Sequence, residues 1–336
     1  MTMDSYCKNY SSVSKPSAAL RLHIVKLIIS VNLLITGLAL ISVSANAATT
    51  VESNITFSPA LRIDNLDWNI AGNPGGTDPN VLSELTWENI YSVQFQLGTE
   101  ILINKTWYLK GYTNYAYIFA GDNQDSDYAG DNRTMEFSRS ENDAGEGSLI
   151  DASLSVGMFF QFYDDEARAS LSVIPQIGYS VHNQRLKALE GYQTIPAVGT
   201  FTNLDSSYET QWDGVWLGVD LRFESSYYST LFFRYEYHMP DYYAEADWNL
   251  RDDLQHPTSF EHMTEGTGNI LAIGWRKERD KEWLIGLEFL WQRWTTDAGT
   301  SRAFASDGTI YETRLNEVNW QSTAVTFIIG KYFPLF

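Results

Sequence analysis

Two aspartates that stand two residues apart, Asp125 and Asp127, have the types and spacing best suited to chemistry in this chain. On an extended segment, residues i and i+2 point to the same side, so the Cα atoms of the pair lie about 7 Å apart. Repulsion between like charges at that distance raises the pKa of one carboxyl group, and the pair is then able to hold a water molecule. The spacing therefore predicts a carboxylate pair for acid–base chemistry.

The two aspartates belong to an acidic stretch that admits two interpretations. Its carboxylates are Asp122, Asp125, Asp127, Asp131, Glu136, Glu141, Asp143 and Glu146. One interpretation is a binding site for cations, and the other is a solvent-exposed loop with Asx turns. The spacing from Asp122 to Asp131 does not match an EF-hand loop, because the glycine and the terminal glutamate are misplaced. We predict no metal site and no cofactor from this sequence.

The elements that position these aspartates have a period of two, which is clearest between Leu149 and Phe162. Apolar residues fall on one face: Ile150, Ala152, Leu154, Val156, Met158, Phe160 and Phe162. Small or polar residues fall on the other face: Asp151, Ser153, Ser155, Gly157 and Gln161. Such alternation is typical of a strand with lipid on one side and water on the other, as in a transmembrane barrel.

Two kinds of connection alternate between the predicted strands. Short turns are predicted around residues 104–105, 164–166, 225–227 and 278–280. Long loops are predicted at residues 73–80, 120–147, 190–206, 246–265 and 297–317. Four turns and five loops join ten strands, with the short turns in the periplasm and the long loops outside the cell. The predicted fold is a ten-stranded antiparallel transmembrane β-barrel, in contact with outer-membrane lipid.

Four polar residues on these strands, Asp220, Arg222, Glu288 and Gln292, point inward in the same phasing. A ten-stranded lumen is only slightly wider than the eight-stranded kind that side chains fill. Two interpretations are open for these residues, a plug of salt bridges or the lining of a narrow channel.

The first 47 residues are predicted to be an export signal. A basic flank precedes an apolar run from Leu27 to Val43, and Ala45-Asn46-Ala47 fits a signal-peptide cleavage site. The alternative is a membrane anchor, because the run is long for a signal peptide. Cleavage removes the single cysteine, Cys7, and leaves one barrel domain at residues 48–336, in the outer membrane of a Gram-negative-type cell.

The chain that remains after this cleavage is strongly acidic. It holds 19 Lys and Arg against 41 Asp and Glu, a net charge of −22. Such a charge repels phosphates and excludes nucleic acid as a partner. It favours cations or basic peptides at the acidic mouth that residues 122–146 would form.

Several motifs resemble those of omptins, the ten-stranded outer-membrane proteases. Ser83-Glu84-Leu85-Thr86-Trp87 is similar to the S-x-L-x-W segment on the second omptin strand. Asp125-Ser126-Asp127-Tyr128 is similar to the D-x-D-aromatic motif that carries two active-site aspartates. Residues 82–87 together with 246–251 resemble still more closely the Protochlamydia-type outer membrane proteins, which share the omptin-like barrel and are regarded as surface or pore-forming proteins.

The second omptin motif, D-x-H, falls on Asp247-Trp248-Asn249. The resemblance implies that Asp125, Asp127 and Asp247 are the catalytic acids, with Asp247 orienting a histidine that takes the proton from the attacking water. Asn249 stands at the histidine position, and an amide does not accept a proton near neutral pH. The resemblance therefore implies a degenerate catalytic site.

Three histidines are candidates to replace the missing base. His238 precedes the motif and falls inside the predicted barrel wall. His256 and His262 lie in the long loop, and neither has an acid two residues away. A protease would therefore need the loop to bring one of them to Asp247.

The sequence leaves three functions open. The first is a non-proteolytic surface protein with a degenerate omptin-like site, either closed or with a narrow pore that prefers cations. The second is an omptin-type aspartyl endopeptidase that cleaves near basic residues with a loop histidine as its base. The third is an adhesin whose loops bind a partner. Function has to be decided from the site, because the fold does not imply it.

Overall fold

The computed structural model describes residues 50–166, 168–225, 229–279 and 282–335. Within these ranges all regular structure is β-strand. The described residues contain no helix that is long and apolar enough to span a membrane. The predicted export signal with Cys7 lies outside the described residues, as do parts of the predicted turns at 225–227 and 278–280.

The described residues form fourteen strands. They are β1 (Val51–Ile70), β2 (Ser83–Ile103), β3 (Trp107–Gly130), β4 (Thr134–Asp143), β5 (Gly147–Met158), β6 (Phe160–Asp164), β7 (Ala169–Ile195), β8 (Gly199–Thr200), β9 (Asp205–Ser225), β10 (Ser229–Asp247), β11 (Phe260–Arg279), β12 (Trp283–Thr296), β13 (Gly299–Phe304) and β14 (Ile310–Leu335).

Ten of these strands close into an antiparallel ring. The order around the wall is β1, β2, β3, β5, β7, β9, β10, β11, β12, β14 and then β1 again. β1 and β14 pair from Val51 opposite Leu335 to Ile70 opposite Leu315, so the ring of described strands closes without an open edge. The predicted ten-stranded antiparallel barrel is confirmed.

The apolar face of the wall points outward, as the alternation predicts. Val156 and Met158 are about 40 % exposed, whereas Asp151, Ser153 and Ser155 on the same strand are buried inside. Other exposed apolar side chains continue this belt around the barrel: Phe57, Phe95, Tyr115, Leu217, Leu231, Ile273, Leu287 and Phe327. The belt is the surface that faces lipid in a transmembrane barrel.

Two of the five segments predicted as long loops, 120–147 and 297–317, are mostly strand, whereas residues 73–80 contain no strand, as predicted. β3 and β4 form a hairpin that fills residues 107–143 apart from a short turn, and β13 and β14 fill most of 297–317. β4 pairs with both β3 and β7, so the wall continues beyond the apolar belt. Paired strands satisfy the backbone N–H and C=O groups that a long irregular loop would leave to water.

Side chains fill the lumen at mid-height. Arg62 on β1 contacts Asp64 on its own strand at 2.9 Å and Asp151 on β5 at 2.6 Å. His182 on β7 adds its Nδ1 3.0 Å from the second oxygen of Asp151. We call the central layer the six residues that meet here, each at most 3 % exposed: Arg62, Asp64, Asp151, His182, Trp294 and Trp320.

Further ion pairs lie between the central layer and the short-turn end. Arg222 Nη2 is 3.0 Å from Glu100 Oε1, and Lys110 Nζ is 3.3 Å from Asp220 Oδ2. Asp220, Arg222, Glu288 and Gln292 are all buried, as the predicted inward phasing requires. These contacts correspond to the salt-bridge plug, one of the two interpretations that the sequence left open.

Candidate functional site

Asp125 and Asp127 lie on the inner face of β3 at the barrel mouth, by which we mean the end with the long hairpins. Asp125 is paired with Leu85 on β2, and Asp127 is paired with Ser83. Residues directly opposite each other on antiparallel strands share a face, and Leu85 is only 1 % exposed in the barrel interior. The last exposed aromatic residue of the belt on β3 is Phe119, so the carboxylate pair lies beyond the apolar belt.

The environment of the pair favours proton uptake. Burial and the charge of Asp127 raise the pKa of Asp125 to about 7, against a hydrogen bond from the Trp248 side chain and the charge of Arg251. Burial also raises the pKa of Asp127, and its hydrogen bonds with Ser83 and Ser138 act in the opposite direction. Near neutral pH the pair therefore exchanges a proton readily.

Aromatic side chains form a floor beneath the pair. Trp87 stacks on Tyr208 with ring centroids 5.3 Å apart, and Trp68 packs edge-on against His262 at 4.7 Å. His262 Nδ1 lies 2.9 Å from the hydroxyl of Tyr208, and burial lowers the pKa of His262 to about 3. This predicted candidate base is therefore a neutral side chain within the floor.

The end of β10 presents alanine and tryptophan to the interior. Ala244 and Ala246 are buried and pair with His262 and Phe260 on β11. Because strand side chains alternate, Asp247 points to the opposite face of β10. Trp248 follows it, packs against Phe260 with ring centroids 4.9 Å apart and contacts the carboxylate of Asp125. The residues that face the carboxylate pair are thus Ala246 and Trp248.

The loop does bring a histidine to Asp247, on the other side of the strand. His256 Nδ1 is 2.6 Å from Asp247 Oδ1, and both side chains are about one-third exposed. The hydrogen bond to Asp247 is the main cause of a raised pKa at His256, with the charge of Asp252 acting in the same direction. The charges that act on Asp125 are those of Asp127 and Arg251, so the two pairs have separate electrostatic environments.

Asn249, at the position of the omptin histidine, connects two loops. Its Oδ1 accepts hydrogen bonds from Asp205 N at 2.9 Å and Ser206 Oγ at 3.1 Å. Its Nδ2 donates to the backbone carbonyl of Asn203 at 2.7 Å. The amide therefore fixes the end of β10 to the start of β9, and a charged or aromatic replacement would lose these bonds.

His238 lies in the lumen, level with the predicted barrel wall. Its Nδ1 is 3.0 Å from Ser180 Oγ, and its Nε2 is 3.1 Å from Glu236 Oε2. The side chain is 1 % exposed. His238 is therefore a buried member of the lumen network.

Two residues of the site were missed from the sequence, Trp248 and Arg251. The Arg251 guanidinium is held by Asp253 through two contacts of 2.8 Å, and its charge acts on Asp125 and Asp127. The alternating alanines before Trp248 are the sequence signal that could have predicted its orientation. If Ala244 and Ala246 are placed inward, the next inward residue is Trp248.

The fold and the mouth agree with the comparisons with known proteins. The family model of the Protochlamydia outer membrane protein matches residues 56–333. The chain belongs to this family. None of the curated proteins compared with it matches its sequence.

Solved structures that are similar to this Protochlamydia-family barrel include outer membrane proteins. The outer membrane protease OmpT from Escherichia coli has a TM-score of 0.63 at 12 % identity, over 84 % of this chain and 97 % of that chain. The outer membrane protein OprG from Pseudomonas aeruginosa has a TM-score of 0.35 at 9 % identity, over 84 % and 96 %. The similarity to OmpT shows a shared fold. Together with the family, it supports an outer-membrane location.

Proposed function

We propose that this chain is a closed surface barrel that binds a basic ligand at its mouth without cleaving it. The observation that carries the proposal is the register of β10, which presents Ala246 and Trp248 to the carboxylate pair. The resemblance to omptins would need Asp247 and a histidine at that place. One residue of offset reverses the face of every side chain on a strand.

The hydrolysis that the omptin resemblance implies uses a histidine to remove the proton of the attacking water. The indole of Trp248 donates a hydrogen bond and has no acceptor nitrogen. Of the histidines in the described residues near the motif, His256 is on the opposite face, His238 is in the lumen and His262 is in the floor. A water held by Asp125 and Asp127 thus has none of these three histidines as its base.

Cation binding makes use of the same pair without a base. Two half-buried carboxylates repel each other, and a cation between them relieves that repulsion. Arg251 provides an example within the chain, because its positive charge lowers the pKa of both aspartates. A basic side chain of a peptide ligand carries the same charge, and the acidity of the chain concentrates such ligands near the mouth.

The central layer argues against an open pore as the function. Arg62, Asp151 and Trp320 come from three separate strands and meet across the lumen. All six residues of the layer are at most 3 % exposed. We therefore propose a closed barrel, and planar-bilayer conductance of the wild type would contradict this part.

The first experiment measures cleavage and binding of a fluorogenic Arg-Arg peptide by the whole chain refolded in detergent. We expect no cleavage, and a loss of binding of at least tenfold in Asp125→Asn/Asp127→Asn. The matched control is Asp122→Asn/Asp143→Asn, which removes two exposed carboxylates that are paired on the same hairpin. Cleavage by the wild type that is lost in Asp125→Asn would replace this proposal with an endopeptidase.

A second variant tests the register argument directly. Ala246→Asp/Trp248→His places an Asp-x-His pair on the inner face, opposite the carboxylate pair. We expect this variant to gain cleavage, and we expect Asn249→His to gain none. A gain with Asn249→His alone would show that residue 249 faces the pair and would overturn the proposal. If the double variant does not fold, the wild-type assay still decides the question.

A further inference from the structure

The lumen between the central layer and the short-turn end contains two neighbouring polar cavities. The first, of about 100 Å³, extends from Arg62 and Asp151 down to Glu100. The second, of about 270 Å³, reaches Lys105 in the turn between β2 and β3. They share four lining residues: Asn54, Glu100, Arg222 and Arg276. We call the two cavities together the lower chamber.

Seven buried polar atoms of residues that line the lower chamber have no hydrogen-bond partner in the protein. They are Asn54 Oδ1, Ser58 Oγ, Asn114 Oδ1, His182 Nε2, Asp220 Oδ1, Arg234 Nε and Arg276 Nε. Five of these residues are at most 8 % exposed: Asn54, Ser58, Asn114, His182 and Asp220. A buried polar atom without a partner is unfavourable, so these atoms are suited to bonding with a solute that enters the chamber.

The charged groups that line the first cavity are already matched with one another. Lys110 pairs with Asp220 at 3.3 Å, and Glu100 is contacted by Arg222 at 3.0 Å and by Arg276 at 3.3 Å. The unmatched sites are therefore hydrogen-bonding sites of both kinds, donor and acceptor. Such a lining suits a neutral solute better than an ion, since an ion would have to disrupt an existing pair.

We propose that the lower chamber is a binding site for water and small neutral hydrogen-bonding solutes, entered from the short-turn end and closed above by the central layer. The first cavity has room for several water molecules, each of which needs two to four polar partners. The seven unpartnered atoms supply those partners. This proposal is independent of any ligand at the mouth.

Thiol labelling tests the chamber, because Cys7 is the single cysteine of the chain. In the full chain with Cys7→Ser, refolded in detergent, Ser58→Cys is compared with Ser92→Cys. Both serines are at most 1 % exposed and both hydroxyls lack a partner, but Ser92 lies opposite Arg62 and does not line the chamber. We expect the neutral reagent methyl methanethiosulfonate to modify Ser58→Cys at least tenfold faster.

Equal rates at the two positions would overturn the proposal. If Ser58→Cys does not fold, Thr326→Cys replaces it, because Thr326 also lines the chamber and is 4 % exposed. A trimethylammonium reagent of the same class is expected to react more slowly than the neutral one at position 58. A rate equal to that of the neutral reagent would contradict the assignment of neutral solutes.

The direction of entry is tested by narrowing the short-turn end. Leu102 lines the second cavity, and Leu102→Trp in the Ser58→Cys background is expected to slow labelling several-fold. Val215→Trp is the control, since Val215 is 47 % exposed on the outer wall. Labelling that is unchanged by Leu102→Trp would show that solutes do not enter from this end.

Discussion

The central layer and the carboxylate pair at the mouth differ in how their charges are arranged: opposite charges meet in the first, and like charges meet in the second. In the central layer one arginine lies between two aspartates, and His182 contacts the second of them. At the mouth Asp125 and Asp127 stand side by side, and burial together with the charge of Asp127 raises the pKa of Asp125 to about 7. The paired charges of the central layer fill the lumen and stabilise it. The repulsion within the carboxylate pair, in contrast, is relieved when a cationic ligand binds. The comparison thus separates the structural charges of the barrel from its candidate binding site.

The largest expected effect comes from breaking the central layer. Arg62→Ala leaves Asp64 and Asp151 buried without their cation, which is expected to cost about 3–5 kcal/mol of unfolding free energy. The control Arg133→Ala breaks an exposed pair with Glu84 and is expected to cost about 1 kcal/mol or less. Guanidinium unfolding in detergent measures both values. Similar losses for the two variants would remove the distinction between buried and exposed pairs.

The second effect concerns the pair at the mouth. Because the pKa of Asp125 is higher in the folded state, its carboxyl stabilises the fold below the unfolded pKa, and this contribution is lost as the pH rises through about 7. The stability advantage of Asp125→Asn should therefore grow from pH 4 to pH 8. We expect the difference in midpoint temperature between Asp125→Asn and the wild type to grow by a few °C over this range. Such a change corresponds to about 1–2 kcal/mol in a chain of this length.

Thermal unfolding of Asp125→Asn at the two pH values, with Asp143→Asn as the charge control, tests this prediction. Asp143 is an exposed carboxylate on the neighbouring strand β4. An advantage that shrinks between pH 4 and pH 8 would mean that the pKa of Asp125 is not raised in the folded state.

A smaller effect is expected where the omptin histidine would stand. Asn249→His and Asn249→Ala both remove the three hydrogen bonds to residues 203–206. These bonds are exposed or partly exposed, so that water replaces them at little cost in stability. We expect faster amide exchange at Asp205 in both variants, with the rest of the barrel unchanged. If Asn249→His left the exchange at Asp205 as slow as in the wild type, the structural role of Asn249 would be wrong.

The smallest effect is expected at the exposed pair on the outer side of β10. Asp247 raises the pKa of His256, so the pair stabilises the fold at low pH and this contribution is lost as the pH rises through the folded pKa of His256. In Asp247→Asn the His256 ring should titrate closer to pH 6.5, as followed by NMR. The midpoint temperature should hardly change, because the pair is exposed. An unchanged titration would show that the contact is absent in solution.

Much of the fold could be predicted because its signal is local. The alternation at Asp151, Ser153 and Ser155 gave the inner face, and the same phasing placed Arg222 and Glu288 inside. The carboxylate pair was also predictable, because Asp125 and Asp127 are spaced by the period of the strand. The lengths of the hairpins were harder to predict, because polar residues on a strand beyond the apolar belt resemble those of a loop.

The other half of the candidate site could not be predicted, because it depends on a single residue of register. Asp247 and Trp248 are adjacent in sequence, and the packing of Ala246 decides which of them faces the pair. The contact between Asp247 and His256 depends on the path of a loop between two strands. A motif alignment contains neither kind of information.

The sequence by itself determined the class of fold, the two faces of the strands and the carboxylate pair, since each depends on neighbours within a few residues. Only the tertiary structure decided which groups meet. Arg62 reaches Asp151 and Ser322, 89 and 260 positions away, because the ring closes between β1 and β14. The face of Asp247 and the filling of the lumen by side chains at the central layer have the same origin. They follow from which strands become neighbours and in what register, and no local pattern of residues records that choice.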